Sequence, residues 1–584
     1  MRLVRSISLF AVFFGLSVGL LGQAKDQEEF LRSTAEPGQK GGRLVVGQSA
    51  EPKTFNPVTV VDQPSRDVIR RMTADLVHIN RFTQKTEPAL AKSWIVSRDG
   101  RQFTLQLRRG VRFSDGVPFD ADDVLFSYQV YQDEKVRSPQ RDLLLIHDKP
   151  MAVEKLGTHT VRFTFSDPYA AGERVFDSIA ILPRHLLEKD YKAGQISQTW
   201  LLTTAPEKMA GLGPFRLKQV VLGERIVLER NPYYWKVDAK KLRLPYLDEL
   251  TFLTVPSRDA QVVRFLAGDT HAISSLSAEN FEVLSPDQKA RHYVLYDLGP
   301  GLEYNFLLLN MNDDTEGRLP EVARKQKWFK DVRFRRAVSL AIDRAAIVRL
   351  VYHNLATALS THVSPGNKLW VDSVIPAPER SVSRAGHLLE EAGFSRRADG
   401  GLVDAGGSPV EFSILVNASN SQQSQMATLL QDDLKTIGIK VHIVSMEFRS
   451  AMSRVLETHD YEAALMKIGG GDVDPTEGMN VWMSTGQTHL WHLGEKAPAT
   501  PWEAEIDQLM QKQLTTMDYK RRKKLYDRVQ EVEAQQLPLI YLASPHILVG
   551  AREGLGNLSP AIMDHYLLWN ADEIFWRASA PSNH

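Results

Sequence analysis

The stretch that most constrains the fold runs over residues 91–127, where apolar and polar residues alternate with a period of two. Two Asp-Gly pairs, Asp99-Gly100 and Asp115-Gly116, interrupt the alternation. Such a pair between alternating segments is typical of a tight hairpin turn, because glycine adopts the positive φ that these turns need. We therefore predict a β-hairpin at the first pair and a second turn at the other.

The same stretch ends in a predicted helix. Asp120 is a typical N-cap residue, and Asp122 and Asp123 place negative charge in the first turn, where the helix dipole stabilises it. Tyr128 and Tyr131 follow at helical spacing. The local pattern gives these acidic residues a structural role and no chemistry.

The sequence of this stretch also resembles a family signature. It is similar to the signature of the extracellular solute-binding proteins of family 5, and the matching pattern is AxxW, then DG, then LRxGVxFxDGxPFxAxDVxFS. That family comprises the peptide-binding subunits of ABC importers and relatives that bind nickel, sugars and other solutes. LERNPYYW at residues 228–235 and VRFRRAVSLAIDRAAIVRL at residues 332–350 are also typical of it. The resemblance covers nearly the whole chain from Arg43 onward.

The resemblance implies an α/β protein with the two-lobed periplasmic binding protein fold, class II type, and an extra inserted accessory domain. The family layout assigns residues 43–82, 207–305 and 538–584 to lobe I. It assigns residues 306–537 to lobe II and residues 83–206, with the signature, to the accessory domain. A chain of 584 residues is long enough for several domains, since single cores seldom extend beyond about 250 residues.

The N-terminus predicts export. Arg2 and Arg5 precede an apolar run over residues 7–21, which indicates a cleavable signal peptide at residues 1–24. The run is shorter than the roughly 20 residues of a membrane span, although an uncleaved anchor is the alternative. We expect residues 25–42 to be a flexible leader. Export together with the resemblance predicts a periplasmic location.

The composition limits the partners. The chain has no cysteine, which excludes disulfides and the lipid-modified cysteine that tethers such proteins in Gram-positive bacteria. Lys+Arg and Asp+Glu both number 71, and this balance offers no basic surface for nucleic acid. We expect a monomer that is not a lipoprotein and that needs no cofactor.

Known catalytic motifs are absent from the sequence. It has no GxSxG, no HExxH and no Walker lysine, and it has no thiol nucleophile. His489 and His492 have a spacing that suits a metal on a helix, but Gly486 and Gly494 favour a loop there. No further His or Cys is near, and a metal site needs three or four ligands. We therefore predict no catalytic residue and no metal ligand.

The candidate ligand-binding segment is the glycine-rich IGGGDVDP. Gly469, Gly470 and Gly471 leave backbone N–H and C=O groups unshielded, so a peptide can pair with them as an added strand. Asp472 is a candidate partner for the α-ammonium group of that peptide. Peptide-binding relatives usually have this acid four residues before the proline, whereas Asp472 precedes Pro475 by three.

Asp474 is the second acid of this segment. The resemblance makes it part of the ligand site, because relatives have an Asp-Pro or Glu-Pro pair here. Asp, Gly and Pro are also turn formers, and Asp474 is a good N-cap for a helix over residues 476–483. The sequence fits a ligand anchor and a capped turn equally well.

Six further residues are predicted to line the cleft: Thr54, Phe55, Tyr304, Asn305, Trp482 and Trp491. The two tryptophans can form the wall of a pocket, although core packing explains large aromatic residues at least as well. The resemblance places Tyr304 and Asn305 on a strand near the crossing between the lobes. It places Thr54 and Phe55 at the entrance, on the opposite lobe.

The predicted function is that of a periplasmic solute-binding subunit of an ABC importer. Two lobes would close over a peptide and deliver it to a membrane permease driven by a separate ATPase. The first alternative keeps the fold and replaces the peptide with an oligosaccharide, a metal chelate or another solute. A periplasmic enzyme is the more distant alternative.

Overall fold

The computed structural model describes residues 28–146, 149–274, 276–313, 317–377 and 379–577. The predicted signal peptide, residues 1–24, lies outside these residues. Within them, no helix is both long enough and apolar enough to cross a membrane. Three sheets of four or more strands organise the described chain.

The largest sheet has eight strands and is built mainly from the segments predicted as lobe I. Its central strand is an apolar run with Leu44, Val45 and Val46 buried, as expected for a strand covered on both faces. Ala356–Ala358 pairs with the strand Ala543–Arg552 of this sheet, although we predicted that segment in lobe II. The other strands follow in spatial order: Phe215–Val221, Arg225–Arg230, Glu249–Thr254, Arg43–Gln48, Ala272–Ile273, Ala543–Arg552 and Tyr293–Pro300.

The second sheet has five strands and lies mainly in the segment predicted as lobe II, although Leu539–Tyr541 and the first two residues of Tyr304–Leu309 belong to segments predicted as lobe I. Within it, Glu411–Asn417 and Lys440–Met446 are parallel neighbours joined by the helix Ser421–Thr436. This is the strand–helix–strand unit that composition and turn residues indicate for this part of the chain. The spatial order of the strands is Lys440–Met446, Glu411–Asn417, Ala463–Ile468, Tyr304–Leu309 and Leu539–Tyr541.

The third sheet confirms the expectation for the signature stretch. Ala91–Val96 and Gln102–Leu107 form the predicted hairpin, and Gly100 in its turn has a φ of +71°. Asp120 caps the helix Ala121–Gln132. All neighbouring strands in this sheet are antiparallel, in the order Ala91–Val96, Gln102–Leu107, Thr160–Thr164 and Ala152–Gly157.

Helices flank the three sheets. Those of seven or more residues are Gln63–Met72, Ala121–Gln132, Arg184–Lys192, Arg258–Ala267, Ala278–Leu284, Pro320–Lys330, Val332–Ala341, Arg344–Val351, Val382–Glu391, Ser421–Thr436, Pro501–Thr515 and Tyr519–Gln536. Shorter helices include Gly172–Val175 and Met479–Trp482, which lie next to the candidate ligand segment.

The described residues contain two large apolar cores. One core joins the eight-stranded sheet to the four-stranded sheet and includes Phe252 and Phe163. The other belongs to the five-stranded sheet and includes Phe306 and Leu430. Because each core is packed largely within its own part, the protein consists of two lobes that can move as bodies about their connections.

The segment predicted as a flexible leader is attached in its described part. Leu31–Arg32 pairs in parallel with Lys236–Val237, and Ser33 Oγ donates to Glu573 Oε1 at 2.6 Å. Gly41 N donates to the carbonyl oxygen of Tyr246 at 3.0 Å. The described part of the predicted leader therefore makes contacts that its polar composition does not indicate, because the partners lie far away in the sequence.

Candidate functional site

Two strand connections form the hinge between the lobes, at residues 301–303 and at Leu542. Asn305 holds these connections together. Its Nδ2 donates to the carbonyl oxygen of Ala543 at 3.2 Å, and its own carbonyl oxygen accepts from Leu542 N at 2.9 Å. Asn305 is only 3% exposed. This predicted ligand residue therefore joins the crossing strands and presents no surface to a ligand in this conformation.

Tyr304, the neighbouring predicted ligand residue, is also buried. Its ring packs against Phe306, Tyr541 and His362, with centroid separations of 5.7, 6.1 and 6.0 Å. These contacts place the ring in the core of lobe II. Tyr304 thus positions the hinge strand by packing.

The three predicted glycines lie just beyond the strand Ala463–Ile468, and all three are exposed. Their backbone groups form no hydrogen bond with other residues that the structure describes. A Cβ at Gly469 would meet nothing within 4 Å, whereas one at Gly470 would lie 2.1 Å from Leu302 Cβ in the hinge. The segment therefore offers open main-chain groups beside the connection between the lobes.

Asp472 forms a two-pronged ion pair with Arg174. Arg174 Nε donates to one carboxylate oxygen of Asp472 and Nη2 to the other. The side chains are 16% and 11% exposed, and the residues are 298 positions apart. Arg174 lies on the short helix Gly172–Val175 of the predicted accessory domain, so this pair connects that domain to lobe II.

Two further contacts connect the same parts. Gln84 Nε2 donates to the carbonyl oxygen of Gly366 at 2.7 Å, and Ala170 N donates to that of Leu514 at 2.8 Å. Gln84 is fully buried and its carbonyl oxygen accepts from Arg174 Nη1 at 3.0 Å. The accessory domain and lobe II are therefore in direct contact, as in a closed binding protein.

Asp474 has a structural role in the described conformation. Its carboxylate accepts from Arg522 Nη1 at 2.8 Å and Nη2 at 2.6 Å, and from Thr476 N at 3.1 Å as the N-cap of Pro475–Gly478. Burial alone would raise the pKa of Asp474, but the charge and hydrogen bonds of Arg522, together with the charge of Arg174 and the N–H of Thr476, hold that pKa below its usual value. Of the two interpretations of Asp474, the capped turn describes its contacts.

Breaking this pair is expected to destabilise lobe II strongly. Asp474→Asn would leave the Arg522 guanidinium buried without a counter-charge, which costs about 3–5 kcal/mol for a pair of this kind. Urea unfolding of wild type and variant measures the difference. A loss below about 1 kcal/mol, the upper range for exposed pairs, would contradict the structural role.

The aromatic candidates lie in cores. Trp482 and Trp491 are each 1% exposed and their ring centroids are 5.6 Å apart. Phe55 is fully buried, and half-buried Thr54 donates from Oγ1 to the carbonyl oxygen of Trp200 at 3.4 Å. Of the two interpretations of the tryptophans, core packing is the one that the structure shows.

Arg174 and Glu477 adjoin the segment and were not among the predicted site residues. A Cβ at Gly471 would lie 3.0 Å from Glu477 Oε2. The pKa of Glu477 is raised to about 7. The main cause is desolvation of the carboxylate by surrounding protein atoms, and the negative charges of Asp472 and Asp474 add to it. No sequence motif marks either residue, because the partners of Arg174 and the charges around Glu477 are set by the fold.

The raised pKa of Glu477 predicts a pH dependence. The folded state keeps the proton that the unfolded state loses near pH 4.5, so this carboxyl lowers stability as the pH rises towards 7. Glu477→Gln should therefore unfold at higher urea than wild type at pH 8 and at the same urea at pH 4. The side chain is partly open to solvent, which limits the gain to about 1 kcal/mol. An equal gain at both pH values would contradict this assignment.

A separate polar cavity of about 400 Å³ lies in lobe I, away from the glycine segment. Its lining includes Arg71, Asp75, Lys236 and Asn570. Nε and Nη2 of buried Arg71 have no hydrogen-bond partner within the described chain, and burial lowers the pKa of Arg71 to about 10. No motif in the sequence marks this cavity.

The fold and the hinge together define the class of protein. Two lobes, joined by two strand connections and in contact through an accessory domain, form the periplasmic binding protein fold. The family model described as bacterial extracellular solute-binding proteins, family 5 Middle, matches residues 85–489. The chain therefore belongs to the extracellular solute-binding proteins of family 5.

Similar proteins span nearly the same length. A probable ABC transporter-binding protein of Deinococcus radiodurans is 27% identical, with 93% of each chain covered. The oligopeptide-binding protein AppA of Bacillus subtilis is 25% identical, with 94% of each chain covered. The structure of AppA in complex with a nonapeptide has a TM-score of 0.66 and covers 92% of this chain and 100% of that chain.

One similar protein is named for a solute other than a peptide. A periplasmic alpha-galactoside-binding protein of Rhizobium meliloti is 25% identical, with 86% of this chain and 75% of the relative covered. The similar proteins thus include one named for oligopeptides and one named for another solute.

Proposed function

We propose that this chain captures peptides in the cleft between its lobes for an ABC importer. The observation that carries the proposal is the backbone of Gly469, Gly470 and Gly471, which lies exposed beside the hinge. These backbone groups form no hydrogen bond with any residue that the structure describes. A peptide main chain is the ligand that complements a row of such groups, whatever its side chains are. The peptide-binding relative AppA, similar over nearly the whole chain, supports this choice.

Closure of the lobes is the proposed means of capture. The Arg174–Asp472 pair connects the two sides of the cleft, so it forms only when they approach. Moving a two-state equilibrium from 1:99 to 99:1 needs about 5.5 kcal/mol of differential binding. Main-chain hydrogen bonds to the ligand at about 1 kcal/mol each, together with this pair, can contribute an energy of that size.

The proposal assigns Asp472 to closure in the conformation described. Both of its carboxylate oxygens are taken by Arg174, so an α-ammonium group could bind only after this pair opened. The ammonium-anchor role predicted from the sequence is therefore the competing proposal for the same residue. The two proposals differ in what the ligand must carry, because only the anchor role needs a free α-ammonium group on the peptide.

The remaining parts of the proposal concern the export of the protein, its location and its partners. We propose a cleaved signal peptide at residues 1–24, a periplasmic monomer without lipid modification, and delivery to a permease driven by a separate ATPase. The limits given above for lobe I, lobe II and the accessory domain belong to the same proposal. No catalytic step is included, and the ligand would be released unchanged.

Native mass spectrometry tests the peptide proposal. The mature protein would be incubated with a pool of di- to nonapeptides and, separately, with an α-galactoside oligosaccharide. We expect complexes of one peptide per chain, with every peptide mass unaltered after release. Complexes with the saccharide and not with peptides would support the alternative solute class, and peptide fragments in the released pool would indicate an enzyme.

A further inference from the structure

A buried cluster of one histidine and two glutamates lies in lobe II, behind the two core tryptophans. The Nε2 atom of His489 and one carboxylate oxygen each of Glu495 and Glu503 all lie within 4.8 Å of one another. The His489 side chain is fully buried, and the side chains of both glutamates are 3% exposed. Carboxylates are seldom buried this far without a cation to balance them.

Two of the three residues in this cluster have coordinating atoms without an ordinary hydrogen-bond partner. His489 Nε2 and both carboxylate oxygens of Glu495 have no hydrogen-bond partner of normal geometry in the described chain. His489 Nε2 is 3.8 Å from Glu495 Oε2 and 3.7 Å from Glu503 Oε1. Both separations exceed the range of a good hydrogen bond. Three acceptor atoms therefore converge on one buried point.

The surrounding groups hold these acceptors in place. His489 Nδ1 lies 3.0 Å from the carbonyl oxygen of Val481, which can only accept, so Nδ1 carries a proton. In the neutral ring, which is the metal-binding form, Nε2 then presents its lone pair to the cluster. Glu503 accepts from Trp491 Nε1 at 3.0 Å and from Thr500 Oγ1 at 2.7 Å. Carbonyl and hydrogen-bond partners of this kind orient the ligands of protein metal sites.

We propose that His489, Glu495 and Glu503 bind a divalent transition-metal cation of the Zn²⁺ class. Imidazole nitrogen combined with carboxylate oxygens suits such a cation, whereas Ca²⁺ and Mg²⁺ prefer oxygen alone. Two bonds of about 2.1 Å at a tetrahedral angle separate ligand atoms by about 3.4 Å. The observed 3.7 and 3.8 Å need an inward movement of only a few tenths of an ångström.

His492 lies beside the proposed site. Its Nδ1 contacts Glu495 Oε1, and its Nε2 is 3.3 Å from Asp313 Oδ2. His492 thus contacts Glu495 and not Glu503, and the carboxylate of Glu503 faces His489. The sequence argues against a metal here because no further His or Cys is near, and the ligands that the structure adds are two glutamates brought in by the loop and by the helix Pro501–Thr515.

The proposed metal has a structural role that is independent of the ligand cleft. All three ligands lie within one segment, and the rings of His489 and Trp491 pack against each other at a tilt of 51° with centroids 3.9 Å apart. A bound cation would therefore fix the loop over residues 483–500 against the core of lobe II. Removal of the metal should lower the melting temperature while leaving the hinge contacts in place.

The test uses the full mature chain without a histidine tag, because such a tag binds Zn²⁺ itself. After dialysis against EDTA, the protein would be titrated with Zn²⁺ by calorimetry. We expect one Zn²⁺ per chain and an affinity at least about 100-fold weaker in Glu495→Gln, which loses one ligand. Glu411→Gln, at the exposed Glu411–His442 pair, is the matched control and should bind as wild type does.

A second measurement on the wild type covers the case in which Glu495→Gln does not fold. X-ray absorption of the Zn²⁺-loaded wild type should show a shell of nitrogen and oxygen ligands with a single imidazole. Absence of stoichiometric Zn²⁺ binding, equal affinities in wild type and Glu495→Gln, or a shell with several imidazoles would each overturn the proposal.

Discussion

Gly469→Val is expected to weaken peptide binding at least about tenfold, a change of about 1.4 kcal/mol, without lowering the stability of the protein. A Cβ at this position meets nothing within 4 Å, so the isopropyl group creates no clash in the ligand-free chain. It would occupy the space through which a peptide main chain must approach the open backbone groups. Calorimetric titration with a tight-binding peptide and thermal unfolding measure the two effects.

Gly386 provides the matched control for this substitution. It also has nothing within 4 Å of a Cβ, and it lies on the helix Val382–Glu391 of lobe II, outside the glycine segment. Gly386→Val should retain wild-type affinity. Unchanged affinity in Gly469→Val would show that the ligand does not use these backbone groups, and equal losses in both variants would indicate a general effect on lobe II.

Arg174→Gln is expected to weaken peptide binding by about 10- to 150-fold, because a charge-assisted contact of about 1.5–3 kcal/mol is present only in the closed form. Asp472→Asn should have a similar effect. The double variant should be no weaker than either single variant, since each change removes the same pair. Lys325→Gln is the control, because it breaks a pair with Glu462 of nearly the same exposure, 11% and 15%, within lobe II.

The competing role for Asp472 makes a different prediction. An α-ammonium anchor requires a free amino terminus, so Asp472→Asn would then weaken a free peptide and leave an N-acetylated one unaffected. Arg174→Gln would not weaken either peptide. The closure role predicts equal losses for free and acetylated peptides, and this comparison therefore decides between the two.

The parts of the structure that depend on residues close together in the sequence could be predicted from it. The hairpin at Gly100, the cap at Asp120 and the cap at Asp474 all use contacts within a few positions of the residue concerned. Glycine φ and N-cap hydrogen bonds are local requirements, so the residue types alone indicate them. The family signature then extends this local information to the arrangement of lobes.

The contacts of the candidate site could not be predicted in the same way. The 298 positions between Arg174 and Asp472 contain no pattern that indicates their pairing. Leu31–Arg32 also pairs with a segment far away in the sequence, Lys236–Val237, and the polar composition of the leader does not indicate this pairing. The positions of the aromatic candidates could not be predicted for a different reason. The sequence alone does not distinguish a tryptophan in a core from one in a pocket.

A crystal structure with a bound peptide tests the central claim most directly. We expect a peptide between the lobes, with its main chain hydrogen-bonded to the backbone of Gly469, Gly470 and Gly471 and with the Arg174–Asp472 pair formed. A peptide in the lobe I cavity beside Arg71, or one held only by its side chains with the glycine backbone still free, would contradict it.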